Sequence, residues 1–176
     1  VETEESDEHA ARLFRDTCAT MKLNTKNLVL HSDNGRPMKG SAMIATLERL
    51  GVMTSFSRPG VSNDNAYAEA PFRTMKYRPN YPSQPFGSVE NVMAWVTAFV
   101  RWYNTEHRHS ALGYVTPEQR HSRLDIAILE NRQAVYAKAK RRHPDRWSRQ
   151  IRPWTRPENV VLNPRSASGE IIPTSL

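Results

Sequence analysis

The sequence predicts an α/β protein, because apolar runs typical of strands alternate with helical periodicities in its first half. Residues 28–30 form a short apolar run that stops at Asn34-Gly35, a turn signal. Met43, Leu47 and Leu50 repeat with the spacing of one helix face, and a glycine follows where a helix C-cap belongs. The predicted order is therefore helix, strand, helix, strand, helix.

The elements of the first half follow from local signals. Acidic residues early and Lys22 late complement the dipole of a first helix over residues 5–21. A mostly buried strand over residues 27–32 and a second strand over residues 52–57 flank the helix over residues 39–50. A helix over residues 63–77 follows the next loop, and Pro71 either lies in its first turn, if it starts near residue 68, or kinks it.

The second half reads as helical. Three prolines between residues 79 and 85 interrupt the chain, and a helix over residues 88–105 carries an apolar stripe. Its aromatic members, Trp95, Phe99 and Trp102, are interpreted as core rather than as a base-stacking platform. A short helix opens at residues 116–118, a longer one covers residues 124–142, and residues 160–162 allow a strand.

Bulk properties limit the classes of function. The 176 residues fit one domain plus a tail, and the net charge of +7 favours an anionic partner, nucleic acid before membrane. A basic surface that only aids solubility is the alternative. Cys18 is the only cysteine, which excludes a thiolate zinc site and fits a reducing cytosol, and no apolar run approaches the ~20 residues of a membrane span.

Asp33 and Glu69 are the candidate catalytic and metal-binding residues. A carboxylate at a strand end and another on a following helix can face one pocket, and such carboxylates bind Mg²⁺. Two ions about 3.5–4 Å apart could clamp the oxygens of a phosphodiester displacement. The alternatives are an Asx-turn at Asp33 and a solvated helix residue at Glu69. Asp64 is predicted to be a helix N-cap rather than a ligand.

The motifs around this pair resemble a known family. The 35 residues between Asp33 and Glu69 are similar to the spacing in DDE transposases and retroviral integrases. Further segments, from about residue 5 to residue 164, resemble bacterial insertion-sequence transposases, best the second-reading-frame product of the family that uses frameshifting. These segments are HSDNG at 31–35, SRP at 57–59, VSNDN at 61–65, KYRP at 76–79 and WYNTEHRHS at 102–110.

The resemblance implies a ribonuclease-H-like fold, with a five-stranded mixed sheet flanked by helices. In that family the first catalytic Asp lies on the first of three antiparallel strands, and no acidic residue upstream of Asp33 fits that role. We therefore expect an N-terminally truncated core over residues 1–122 that lacks the first hairpin, and a basic helical extension and tail over residues 123–176. We expect weak metal binding, no catalysis by this chain alone, and an open edge on the strand over residues 27–32.

The function implied by the resemblance is metal-dependent DNA cleavage and strand transfer. Asp33 and Glu69 would bind two Mg²⁺ or Mn²⁺ ions, and no organic cofactor is required. The expected partners are element-end and target DNA, with a homo-oligomer assembled on them, no membrane, and a location in the bacterial cytoplasm at the nucleoid. A catalytically inactive DNA-binding remnant and a ribonuclease-H-like nuclease are the alternatives.

Basic residues supply the candidate DNA contacts. Arg73 and Lys76 follow Glu69 by one and two helical turns, and the resemblance places a DNA-contacting cation at Lys76. An ordinary surface pair with Glu69 is the alternative. Arg58 and the loop of His107, Arg108 and His109 are further candidates, the loop being either DNA-facing or structural.

Two further features carry competing interpretations. His31 shares a strand face with Asp33 and is interpreted as a packed histidine before a metal or DNA contact. Residues 101–156 hold 13 Lys or Arg against five Asp or Glu, with Trp147 and Trp154 among them. This region either binds DNA through charge and indole stacking or is a solvated tail.

Overall fold

The computed structural model describes residues 1–156, and the predicted strand at 160–162 lies outside this range. Along the chain the structure divides into two compact units, of which the first is Val1–Val92 and the second begins at Met93. This division falls within a helix, whereas the division predicted from sequence lies between residues 122 and 123. The division between a core and an extension at residues 122 and 123 stays a prediction.

The first unit is a small helix-and-strand layer structure. Its elements are α1 (Asp7–Thr20), β1 (Val29–Ser32), α2 (Arg36–Lys39), α3 (Ser41–Leu50), β2 (Met53–Phe56), a 3₁₀ turn (Ser62–Asn65) and α4 (Ala66–Lys76). The helices α1 and α3 pack on each other and bury the core of this unit. That core consists of Ala11, Met43, Leu47 and Val52.

The strands β1 and β2 form a parallel pair in which Val29 lies opposite Met53 and Ser32 opposite Phe56. No third strand joins this pair within residues 1–156. Leu28 and Leu30 pack against the core, so the intervening Val29 points the other way and is 47% exposed. The prediction of a mostly buried strand was therefore wrong, because the core covers only one face of β1.

The helix α3 begins and ends as the sequence predicts. At its C-terminus Gly51 adopts a left-handed conformation with φ of 68° and closes the helix with bonds to Glu48 and Leu47 carbonyls. At its N-terminus the cap residue is Gly40, which has no side chain to accept a bond. Instead Asp7 of α1 accepts a hydrogen bond from the Ala42 N–H at 2.9 Å. A Cβ on Gly40 would lie 2.3 Å from that of Asp7, so glycine permits this approach.

The helix α4 starts at Ala66, so Pro71 lies inside the helix rather than in its first turn. The alternative in which the helix starts near residue 68 is therefore not the one observed. The N-cap of α4 is Asn65, which makes no side-chain capping bond, so the prediction that Asp64 is the N-cap was wrong. The 3₁₀ turn before α4 moves the cap position by one residue.

The second unit is helical where described. It contains most of α5 (Val89–Thr105), a 3₁₀ turn (Ser110–Leu112), α6 (Pro117–His121), α7 (Asp125–Arg142) and a 3₁₀ turn (Pro144–Arg146). Thr116 and Gln119 form a reciprocal capping box that starts α6 at the predicted place. A core of Val115, Leu129 and Trp154 lies between these elements.

The aromatic stripe of α5 is only partly core. Trp95 and Phe99 stack with ring centroids 5.7 Å apart, and Phe99 is buried. Trp95 and Trp102 keep part of their surface exposed, which the core interpretation did not foresee. None of the helices in residues 1–156 combines the length and the apolar character that crossing a bilayer requires.

We expect the Asp7 contact to make stability depend on acid pH. The Ala42 N–H, and after it a hydrogen bond with Glu8, lowers the pKa of the Asp7 carboxyl below 3.8. A lowered carboxyl pKa gives stability that is present above the unfolded-state pKa and lost as the pH falls through the folded-state pKa. Asp7→Ala should therefore lower the Tm at pH 7, and the difference should shrink below about pH 4.

Asp7→Asn is the matched control, because the amide oxygen can still accept from Ala42 but carries no charge. Its Tm should lie between those of the wild type and Asp7→Ala at pH 7. Equal melting temperatures of all three proteins at pH 7 would show that this contact does not hold α1 against α3.

Candidate functional site

Asp33 directly follows β1 and lies in an Asx-turn. Its Oδ1 accepts a hydrogen bond from the Gly35 N–H at 2.9 Å, so the turn interpretation is confirmed. Asn34 donates to the Ser57 carbonyl at 2.7 Å and ties this turn to the end of β2. The turn orients the Asp33 carboxylate and leaves Oδ2 exposed, with no partner in residues 1–156. Asp33 can therefore hold the turn through Oδ1 and still offer Oδ2 to a ligand.

His31 is a packed strand residue, as the sequence interpretation favours. Its Nε2 lies 2.9 Å from the Asp64 carbonyl oxygen, and its Nδ1 lies 2.9 Å from the Ser55 hydroxyl. Because a carbonyl can only accept, Nε2 carries the proton, and in the neutral ring Nδ1 accepts from Ser55. Both ring nitrogens are thus used to join β1, β2 and the turn before α4.

Asp64 and Arg58 form a fork that sequence reasoning missed. Asp64 is 7% exposed, and its Oδ2 accepts from the backbone N and Nε of Arg58 while Oδ1 accepts from Nη2, each at 2.8 Å. This carboxylate raises the pKa of the Arg58 guanidinium, chiefly through the hydrogen bonds. The fork fixes the loop from Arg58 to Asp64, and with it the start of α4.

The same arrangement places one face of α4 beside Asp33. A cavity of about 770 Å³ is lined by His31 and Asp33 and, from the α4 side, by residues at helical spacing. Those residues are Asn65, Ala68 and Phe72. Glu69 follows Ala68 and lies four residues after Asn65, so it sits at the edge of this face without lining the cavity.

Acidic residues of the N-terminal segment line another wall of this cavity. They are Glu2, Glu4, Glu5 and Asp16. In the described part of the chain, no group of three or more His, Cys, Asp or Glu side chains has the geometry to hold a metal ion. The structure therefore brings Asp33 to the α4 face beside Glu69 but does not assemble a complete ligand set there.

The predicted DNA-contacting residues of α4 are exposed near its C-terminus. Arg73 stacks over the ring of Tyr77 with its guanidinium carbon 6.0 Å from the centroid. Neither Arg73 nor Lys76 forms an ion pair with Glu69 in the described residues, so the alternative of an ordinary surface pair is not observed. Arg58, by contrast, has its guanidinium engaged by Asp64.

In the second unit, His107 and His109 lie in an aromatic cluster. Their rings are 4.5 Å apart, and they contact Tyr103 at 5.5 and 4.8 Å. The His109 N–H bonds the Val115 carbonyl, while the side-chain Nε2 is buried with no partner in the described range. Burial, and then the nearby His107, lowers the pKa of His109 below 6.5. This loop therefore has a structural role, whatever DNA contact it makes.

A buried carboxylate in the second unit was also missed. Asp125, at the start of α7, is fully buried, and its Oδ2 contacts Arg120 at 2.7 Å and Arg156 at 3.0 Å. Trp154, two residues before Arg156, is 9% exposed and packs into the core of the second unit. Neither base stacking nor a solvated tail describes Trp154, because the segment after α7 folds back onto that helix. No local sequence pattern indicates either contact.

Part of the chain matches a known protein family. The family described as integrase core domain matches residues 50–117, a segment that includes Glu69 but not Asp33. Residues 50–117 are therefore similar to an integrase core domain, and the mixed helix and strand structure is consistent with the ribonuclease-H-like fold.

Three transposases are similar to the chain over longer segments than the family match. The chain is 32% identical over 96 residues to the probable transposase for insertion sequence element IS1353 of Shigella flexneri. It is 30% identical over 92 residues to the transposase for insertion sequence element IS904 of Lactococcus lactis. The matches cover 53% and 52% of this chain but only 19% and 36% of the two relatives.

A third relative, the IS986/IS6110 protein of Mycobacterium tuberculosis, is 28% identical over 111 residues, which is 63% of this chain and 38% of that protein. The chain is therefore similar to insertion-sequence transposases, and the segment that matches the integrase core domain agrees with that similarity. It spans less than two fifths of the length of these relatives.

We expect Asp64→Ala to destabilise the first unit by about 2 kcal/mol, because it removes a buried acceptor of three hydrogen bonds. The free energy of unfolding, measured by urea titration, tests this. Asp16→Ala is the matched control, because its carboxylate is exposed, and it should change the free energy of unfolding by less than about 0.5 kcal/mol. Similar losses in the two variants would contradict the role assigned to the fork.

We expect His109 to make the second unit less stable in mild acid. A histidine pKa lowered by folding gives stability that is present above the unfolded-state pKa of about 6.5 and lost as the pH falls through the folded-state value. The Tm of the wild type should therefore fall more steeply between pH 7 and pH 5 than that of His109→Gln. His121→Gln, an exposed histidine, is the control and should keep the wild-type slope.

Proposed function

We propose that the protein acts in the metal-dependent cleavage and joining of DNA strands, with Asp33 and Glu69 as two of the carboxylates that hold the metal. The observation that carries this proposal is the shared cavity, in which Asp33 faces the Asn65, Ala68 and Phe72 side of α4. Glu69 follows Ala68 and lies four residues after Asn65, so it flanks that side of α4.

The donor set fits a hard cation. Asp33 offers its exposed Oδ2 and Glu69 an exposed carboxylate, and oxygen ligands of this kind suit Mg²⁺ or Mn²⁺. When bound, such ions would polarise a phosphodiester and activate the attacking oxygen. The Asx-turn holds Asp33 in place, and the Arg58–Asp64 fork fixes where α4 begins, so the chain's own residues aim the two carboxylates.

The proposed partner is DNA, both element ends and target, bound by a homo-oligomer in the bacterial cytoplasm at the nucleoid. Lys76 and Arg73 are proposed to hold a phosphate near the carboxylates, since they lie on the Glu69 side of α4. Arg108, His107 and His109 are proposed as further contacts, with Arg108 the exposed cation among them. Arg58 is proposed to act mainly by ordering the loop, because Asp64 already engages it.

The ribonuclease-H-like sheet of the family has five strands, and two are present in residues 1–156. We propose that the open edge of β1 is where the remaining strands of the complete sheet would pair. We propose the core over residues 1–122 and the basic extension over residues 123–176 as functional regions. They do not correspond to the two compact units, which divide at residue 92. No step of the chemistry depends on this division.

Binding of Mn²⁺ followed by NMR tests the metal site. We expect Mn²⁺ to broaden the amide signals of Gly35, next to Asp33, and of Ala70, next to Glu69, at the same metal concentration. Asp33→Asn and Glu69→Gln should each weaken the broadening at both places, because one ion contacts both carboxylates.

Glu48→Gln is the matched control, since Glu48 is an exposed helix carboxylate on α3. It should leave the broadening unchanged. Broadening confined to the acidic residues 2–5, or broadening at Gly35 that survives Glu69→Gln, would refute a shared site.

A DNA-binding protein without catalysis is the second candidate function. The observation that favours it is that the described residues supply two suitable carboxylates rather than a group of three. DNA binding through Lys76, Arg73 and Arg108 needs no bound metal ion. Retained DNA binding without any Mn²⁺ effect at Gly35 and Ala70 would support this candidate over the first.

A further inference from the structure

The second unit contains a basic cleft. It has a volume of about 510 Å³, and its walls combine three arginines with three aromatic rings. We call it the arginine cleft. Its lining residues are Arg108, Tyr114, Arg132, Tyr136, Arg152 and Trp154.

Aromatic rings hold two of the guanidinium groups in place. The guanidinium carbon of Arg152 lies 5.0 Å from the Tyr114 centroid and 5.5 Å from that of Trp154, and that of Arg132 lies 5.4 Å from Trp154. Trp154 is itself anchored, because it is buried and its backbone N–H donates to Gln133 Oε1 at 3.3 Å. Stacking of this kind fixes the plane of a guanidinium before any ligand arrives.

The hydrogen bonds of these arginines orient them without neutralising them. Arg132 donates to the Gly113 and Tyr114 carbonyls, and Arg152 lies 3.4 Å from both the Tyr114 hydroxyl and the Ser110 carbonyl. None of these acceptors is a carboxylate. Guanidinium groups have more N–H donors than these contacts use, so each keeps donors for a ligand.

Other arginines in this unit behave differently. Arg120 and Arg156 both pair with Asp125, so their charge is compensated inside the fold. Arg108, Arg132 and Arg152 form no ion pair with any residue from 1 to 156. Like charges gathered in one cleft repel each other, and an anion bound among them would relieve that repulsion.

We propose that the arginine cleft binds the phosphodiester backbone of DNA. Planar, pre-oriented guanidinium forks match pairs of phosphate oxygens, which a lysine would contact only as a point charge. Tyr114 and Tyr136 keep exposed ring surface at the rim, where a sugar or base can lie against it. Backbone contacts position DNA without reading its sequence, so the cleft acts on any DNA end or target. This assignment rests on the proposed function, in which DNA is the partner.

The test uses the full chain and a short fluorescein-labelled DNA duplex of random sequence, with binding followed by fluorescence anisotropy over a series of NaCl concentrations. Arg108→Gln combined with Arg152→Gln should raise the Kd at least about 10-fold and lower the salt slope by about two, because two phosphate contacts are lost. Arg141→Gln is the charge-matched control from the last turn of α7 and should raise the Kd less than about 2-fold.

Two further variants separate binding from folding. Arg108 is exposed and its side chain forms no hydrogen bond or ion pair within residues 1–156, so Arg108→Gln alone should keep the wild-type Tm while weakening DNA binding. Arg152→Lys keeps the charge but loses the fork and the stacking, and it should bind DNA more weakly than the wild type. Arg152→Lys binding as tightly as the wild type would overturn the claim that the guanidinium geometry matters.

The outcomes are distinguishable. Wild-type affinity in the double variant, alongside tight salt-dependent binding by the wild type, would overturn the cleft assignment and leave the proposed function standing. A wild type that binds no DNA would remove the DNA partner itself. Polyglutamate that displaces the duplex from the wild type at equal charge concentration would overturn the proposal in favour of an acidic protein partner.

Discussion

The first unit depends on a hydrogen-bonded junction that joins three segments distant in sequence. His31 of β1 uses one ring nitrogen for Ser55 of β2 and the other for the Asp64 carbonyl, while the Asp64 carboxylate holds Arg58. Because His31 and Ser55 are half-buried and Asp64 is buried, these polar groups need their partners. The junction therefore fixes the ends of both strands against the start of α4. The positions of Asp33 and Glu69 follow from it.

The junction also explains how the carboxylate of Asp33 is held in place on a small sheet. Asp33 is one residue beyond β1, and its Asx-turn is bonded through Asn34 to the end of β2. Two parallel strands with one covered face would otherwise give little rigidity. Side chains that bridge the strand ends and the following turn supply the missing restraint. The apolar core of Met43 and Leu47 then needs only to hold the helices behind them.

Local features of this fold could be predicted from sequence, and long-range ones could not. Gly51 and the Thr116 capping box mark helix ends correctly, because their hydrogen bonds close within a few residues. The Asx-turn at Asp33 is local for the same reason. Asp125 and Trp154 have partners far along the chain, so no spacing rule indicates their burial. The exposed face of β1 was missed because an apolar run does not reveal how many layers cover a strand.

Asp125 gives the second unit a property that its surface arginines lack. The carboxylate is wholly withdrawn from solvent and contacts guanidinium groups from α6 and from residue 156 on a single oxygen. Mobile ions screen charges in contact with bulk water but reach this buried carboxylate poorly. Rising ionic strength would therefore weaken charge contacts on the surface of this unit long before it loosened the contacts of Asp125 with Arg120 and Arg156. Under the proposed binding of DNA to the arginine cleft, release of DNA and loss of the fold would depend on separate sets of arginines.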